Sequence, residues 1–293
     1  WVPCVDAQGR VAFTTASPDR TAVHILDGSA HIIHLPDGEV AQFTSHPDLD
    51  GTGAAAIYAT LHHGQGAVVR VQLDGQIEIG MTGQIGPAGP TVNARGDIAF
   101  RATVEGKPTC YLWSKEIRSI TSAEWDGWEG LPVVDATGQV AIRARKGDRG
   151  FILRDNAVLI ETQEDALGRF PCLVNGVVGV PIRRKDGWTY TITDGHQSRD
   201  LLSPQTFVRG GLLVQDGLLA VYVTDPQGRL VVQTGPHPEE ILLGIGYPLF
   251  GSIVADLALN PVSGADTGWL VARVLLEDGR ALIVRTKVCP WGM

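Results

Sequence analysis

Asp135-Ala-Thr-Gly-Gln-Val-Ala-Ile142 reads as a tight turn followed by a strand. Asp at the first turn position hydrogen-bonds its own backbone, and Gly at the fourth takes up the left-handed conformation that closes the turn. The Val-Ala-Ile that follows suits a pleated strand, with a small Ala that lets a neighbouring sheet approach. The same phrase stands at Asp6-Ala-Gln-Gly-Arg-Val-Ala-Phe13 and at Asn93-Ala-Arg-Gly-Asp-Ile-Ala-Phe100. Looser copies begin at Asp48 (Asp-Leu-Asp-Gly), Val174, Val214 and Ala258, the last with its turn expanded to Asn260–Gly268. The starts are 42, 45, 42, 39, 40 and 44 residues apart, a regularity that belongs to an array of structural repeats.

Each repeat holds strand-sized pieces, clearest in the fourth: Leu131 to Val134, Gln139 to Arg145, Gly150 to Arg154 and Val158 to Glu161. Four short antiparallel strands in a unit of about 42 residues, repeated radially, describe a propeller blade. The expectation is therefore an all-β, seven-bladed β-propeller occupying 1–293 as a single domain. The seventh repeat shows no obvious fourth strand after Ala281 to Lys287; either the tail from Val288 or chain upstream of Trp1 would complete it.

Composition agrees. Of 293 residues, 44% are hydrophobic and 19% charged, with 36 Gly and 17 Pro, which fits many strands joined by tight turns rather than long helices. A net charge of −8 without a basic stripe argues against nucleic acid as a partner. No apolar run is long enough for a membrane helix, which needs about 20 residues. Trp1 stands inside what reads as a strand, so the chain looks trimmed, and an exported setting is favoured over the cytoplasm. Four cysteines form no Cys-x-x-Cys pair. Cys4 and Cys289 lie near the two ends, where a closed ring would bring a disulfide within reach; buried free thiols are the alternative.

The Asn-x-x-Gly-x-Val-Ala-Phe phrase resembles the repeat of bacterial tandem-repeat propeller proteins, some of them exported and surface-anchored. The likeness spans nearly the whole chain, with three good copies, and implies a propeller without any particular activity. The WD40 signature and the sialidase Asp-box are both missing, so no catalytic residues come with it.

Function is sought where the loops depart from the repeat, because structural residues recur and ligand-reading residues need not. The loops entering each innermost strand, and those joining second to third strands, share one face of a propeller. They contain His46, His62, His63, Trp125, Asp126, Trp128, Glu129, Arg169, Phe170, Trp188, Arg209, Tyr247 and Phe250. His62, His63 and Glu129 are the candidate acid–base groups, since imidazole titrates near neutrality and a carboxylate can accept a proton. His46, Trp125, Asp126, Trp128, Arg169, Phe170, Trp188, Arg209, Tyr247 and Phe250 are candidate ligand contacts, joining aromatic surfaces to both charge signs.

Other features read as structural. Arg101, Arg143, Arg183 and Arg273 recur at one strand position, where pairing with a neighbouring blade outweighs a ring of anion-binding groups. Asp48-Leu-Asp-Gly51 resembles the start of a calcium loop but lacks its later acidic ligands, and Gly83–Pro90 lacks the Lys-Ser/Thr of a phosphate cradle. No metal and no cofactor is expected.

Three functions remain open: a monomeric propeller that binds a small molecule or glycan at the loop face, an enzyme (lyase, hydrolase or cyclase) with one His/carboxylate/Arg site at the channel mouth, and a protein-docking scaffold. Replacing His63 or Glu129 by Ala is expected to leave the fold intact, as loop-tip changes usually do.

Overall fold

The computed structural model describes residues 2–17, 20–86, 88–122, 124–202, 204–205, 207–213, 218–223, 229–234, 240–258 and 268–287. Among them there is no α-helix, only one short 3-10 turn at Glu164–Ala166, and no helix long and apolar enough to cross a membrane. The rest is antiparallel strand and turn in chain order. The first sheet runs β1 (Cys4–Val5), β2 (Val11–Ser17), β3 (Arg20–Asp27) and β4 (Ala30–His34).

A nine-stranded sheet follows. It holds β5 (Val40–Phe43), β6 (Asp48–Leu49), β7 (Ala55–Leu61), β8 (Gly66–Val71), β9 (Ile77–Ile85), β10 (Thr91–Val92), β11 (Ile98–Val104), β12 (Lys107–Trp113) and β13 (Ile117–Ser119). Four-stranded sheets then succeed one another. These are β14 (Gly127–Val134), β15 (Val140–Lys146), β16 (Arg149–Arg154) and β17 (Ala157–Gln163); then β18 (Cys172–Val174), β19 (Val177–Arg184), β20 (Gly187–Thr193) and β21 (Ser198–Asp200). Next come β22 (Val208–Leu213), β23 (Leu218–Val223), β24 (Arg229–Thr234) and β25 (Glu240–Gly244), and last β26 (Pro248–Leu249), β27 (Ser252–Ala258), β28 (Trp269–Leu276) and β29 (Ala281–Lys287). Meandering sheets packed one on the next form a β-propeller.

The turn chemistry is as the sequence implies. Asp135 Oδ1 accepts hydrogen bonds from the Thr137 N–H (2.9 Å) and the Gln139 N–H (3.1 Å), and Gly138 has φ +86°. Asp6 and Asn93 do the same for Gln8 and Arg10, and for Arg95 and Asp97. These turns also link successive repeats. Asp135 Oδ2 accepts from Gly176 N (3.0 Å), Asn93 Nδ2 donates to Asp135 O (2.8 Å), and Arg10 donates to the carbonyls of Gly51 and Thr52 (both 2.9 Å).

In the second repeat the turn is Asp50-Gly-Thr-Gly53, not Asp48-Leu-Asp-Gly51: Asp50 Oδ1 accepts from Thr52 N and Ala54 N, and Gly53 has φ +91°. Asp48 instead sits on β6 and accepts from Val92 N (2.9 Å). Both carboxylates therefore serve the backbone, which removes the basis for a calcium loop there. With that register, Pro3, Pro47, Pro90 and Pro132 each stand three residues before Asp6, Asp50, Asn93 and Asp135.

Strands β5, β14, β22 and β27 carry β-bulges near their starts, with register shifts at Val40/Gln42, Glu129/Val133, Val208/Gly210 and Val254/Asp256. A bulge bends the strand and re-aims its side chains. In the fourth repeat this strand begins at Gly127, so Trp128 and Glu129 lie on β14 rather than in the loop expected there.

The first and last sheets meet. Val5 and Val11 pack with Val271, Trp269 and Ile283, and the Trp269 indole lies over Gly9 so closely that a Cβ there would be 2.9 Å from the ring. The last sheet has a strand in front of β27: Pro248–Leu249 folds back through a Phe250-Gly251 turn, with φ +49° and +80°. Cys4 is a buried free thiol. Cys289, the tail from Val288, and the turns expected at Val214 and at Asn260 lie outside the described residues.

Candidate functional site

The loop between β17 and β18 is clamped in place. Glu164 N donates to Asp148 O (2.9 Å), Gly168 N to Pro181 O (2.8 Å), and Leu167 bridges to Ile182. Gly130, with φ +70°, lies so close below that an added Cβ would be 1.5 Å from the Arg169 carbonyl. On the other side, Gln205 pairs with Trp188 through backbone hydrogen bonds of 2.8 and 2.7 Å. That brings Phe207 edge-on to the Trp188 indole, with ring centroids 5.1 Å apart.

Between these segments opens a cleft of about 530 Å³, lined by Arg169, Phe170, Trp188, Phe207 and Arg209, with Arg143 and Glu164 alongside. Arg143 extends from β15 with its side chain only 2% exposed. It pairs with Glu129, its cross-strand neighbour on β14, and with Glu164 at 3.0 Å. Burial lowers its pKa from the usual value, and the Glu164 carboxylate opposes that shift. Its Nε–H has no hydrogen-bond partner. Arg169 Nε stands 4.0 Å from Glu129, and Asp165 is taken up by Arg183. Arg209 pairs with no carboxylate among the described residues.

Four residues singled out from the sequence thus share one cleft: Arg169, Phe170, Trp188 and Arg209. Others lie elsewhere. Trp128 is buried with Ile142 and Phe151, and Trp125 packs on Phe151 with centroids 4.9 Å apart, so this pair packs with the core and not as the ligand contacts expected. Asp126 Oδ2 accepts from Gly147 N at 2.6 Å, holding the β15–β16 turn. Glu129 is an ion-pair partner of a buried guanidinium, not a free acid–base group.

His46 is buried, with Nε2 lacking a partner and its pKa lowered to about 4 by desolvation. His62 and His63 sit in the β7–β8 turn, where His63 Nε2 meets Gln65 Oε1 at 3.1 Å in an exposed pair. A second, more open groove of about 570 Å³ runs beside Thr44, Tyr58 and Gln84, and no charged residue lines it. Tyr247 and Phe250 are exposed on the last sheet, Phe250 at 69%, and the Phe250 carbonyl accepts from Arg280 (3.0 Å). Among the described residues no group of three His, Cys, Asp or Glu gathers to hold a metal.

The recurrent arginines take structural partners: Arg101 donates to Trp128 O (2.7 Å), and Arg273 reaches Asp256 (3.4 Å). Arg143 alone combines that role with a place on the cleft. Phe207 and Glu164 were not foreseen. Their only sequence signal is the departure of the Glu164–Phe170 and Phe207–Arg209 stretches from the repeat.

No family model and no curated protein matches the chain. Solved structures do. TolB from Acinetobacter baumannii aligns over 79% of this chain at 15% identity and TM-score 0.51, and the chain spans 62% of its length. A catalytically inactive virginiamycin B lyase from Staphylococcus aureus, solved with quinupristin, aligns over 97% of this chain and 94% of its own at 12% identity and TM-score 0.55. The β-propeller domain of the trilobed protease from Pyrococcus furiosus, described as having an open velcro topology, covers 83% and 84% at 12% identity and TM-score 0.56. At such identities the likeness establishes a β-propeller fold and nothing of function.

Proposed function

We propose that residues 1–293 form one seven-bladed propeller, and that it binds a small molecule in the cleft between the loop at Glu164–Phe170 and the segment Phe207–Arg209. The blade count is supported by dividing the nine-stranded sheet at the β9–β11 contact, where only Ala102↔Ile85 and Thr103↔Gln84 pair. One part then holds β10–β13 and the other β5–β9, where β5 and β6 both pair with β7 and stand for one interrupted strand, so both follow the four-strand pattern of the other sheets, in line with the repeats in the sequence and their resemblance to bacterial tandem-repeat propellers.

The observation that carries the binding reading is convergence. Arg169 and Phe170, Trp188, and Phe207 with Arg209 come from three separate stretches to line one cleft. Aromatic walls with a few polar groups are the usual make-up of a small-molecule site. No specific observation favours catalysis: no histidine lines the cleft, and its nearest carboxylates are held by arginines.

A ligand-detected NMR screen of a general fragment library, run on the wild-type chain and on Trp188→Ala, tests this reading. Hits that bind the wild type and are lost in the folded variant support it. A set of hits unchanged by Trp188→Ala overturns it.

A further inference from the structure

Resting on that reading of the cleft, we infer that its ligand carries a compact oxyanion, a carboxylate or phosphate, joined to a flat apolar body. The first support is local charge. In and around the cleft stand four guanidiniums, Arg143, Arg169, Arg183 and Arg209, against three carboxylates, Glu129, Glu164 and Asp165. This excess of cations sits in a chain whose net charge is −8. All three carboxylates are engaged by arginines, so among the described residues the unmet charge is positive.

The second support is the rim. Guanidiniums bind carboxylate and phosphate through paired, charge-assisted hydrogen bonds. Arg169, its side chain 73% exposed, and the exposed Arg209 line the opening and offer two such forks.

The third support is shape. Phe170 and the edge-packed Trp188–Phe207 pair offer ring surfaces within the same opening. An anion alone would leave them wet, whereas a planar group beside the anion would cover them. The class is therefore amphipathic, with its charge at the arginines and its ring against Trp188.

Three probes separate the outcomes by calorimetric titration: indole-3-acetate, phenyl phosphate and the uncharged indole-3-acetamide. The inference expects at least one anion to bind about tenfold or more tightly than the amide, and expects that gap to close in Arg209→Gln. The stronger anion identifies carboxylate or phosphate as the preferred group. Equal binding of the amide and both anions overturns the charge inference and leaves the cleft reading standing. No binding by any probe, with a fragment screen that is also blank at this cleft, overturns both. Circular dichroism of Arg209→Gln guards against misfolding, and an exposed residue with no ion pair among the described residues gives little reason to expect it.

Discussion

His46 enters the interior as a neutral imidazole, because burial makes the charged form costly. Its folded pKa is near 4 against an ordinary 6.5, so on acidification the unfolded chain takes the proton first. Its contribution is therefore fully present above pH 6.5 and is lost as pH falls towards 4, by about 3 kcal/mol. Leu131 occupies the matching place before Pro132, which makes His46→Leu the informative variant. Urea denaturation at pH 7 and pH 4.5 is expected to show a smaller acid loss in that variant than in the wild type. Glu129 sits at the same scale. Its removal in Glu129→Ala leaves a buried guanidinium short of a partner, with an expected cost of about 2 kcal/mol in urea unfolding, while His63→Ala stays within about 0.5 kcal/mol. The sequence could not show this difference. Glu129 and His63 both read as loop residues, and only the start of β14 at Gly127 places Glu129 opposite Arg143.

At the scale of elements, the turn at Asp135 does two jobs. Asp135 shapes its own turn through Oδ1 and holds the next repeat through Oδ2. Asp135→Ala is thus expected to lower stability by about 2 kcal/mol, against a few tenths for Asp278→Ala, whose carboxylate bonds to Arg280 and Ser252 at an exposed turn. Calorimetric melting of both variants checks the contrast. The turn chemistry was legible because Asp, Asn and Gly have local reasons to stand where they do. The bulges were not, since they depend on what lies across the strand. Gly130 is the case in point: a β-carbon there would strike the Arg169 backbone, and the position holds φ +70°, which residues with a β-carbon disfavour. Gly130→Ala is expected to destabilise by about 2–4 kcal/mol and to displace the Arg169–Phe170 loop with it, weakening any cleft ligand.

For the whole molecule, the spacing of the repeats announced a ring of sheets, but how the ends meet was beyond it. The meeting of Val5, Val11 and Gly9 with Trp269 and Val271 joins residues more than two hundred positions apart, and nothing local in either segment encodes it. Trp269→Ala removes the indole from that junction, with an expected loss of about 3 kcal/mol and faster amide exchange in the first and last sheets. The cleft arises at the same scale, from three stretches that the array places side by side. Four of its residues could be picked from the sequence as departures from the repeat. Their sharing one opening, and the core roles of Trp125 and Trp128, required the packing. The most direct measurement is a crystal of the chain soaked with a fragment library. Density for bound fragments between Phe170, Trp188 and Arg209 is the predicted result. Fragments that gather only in the groove beside Thr44 and Tyr58, or at the exposed Tyr247 and Phe250, would contradict the account.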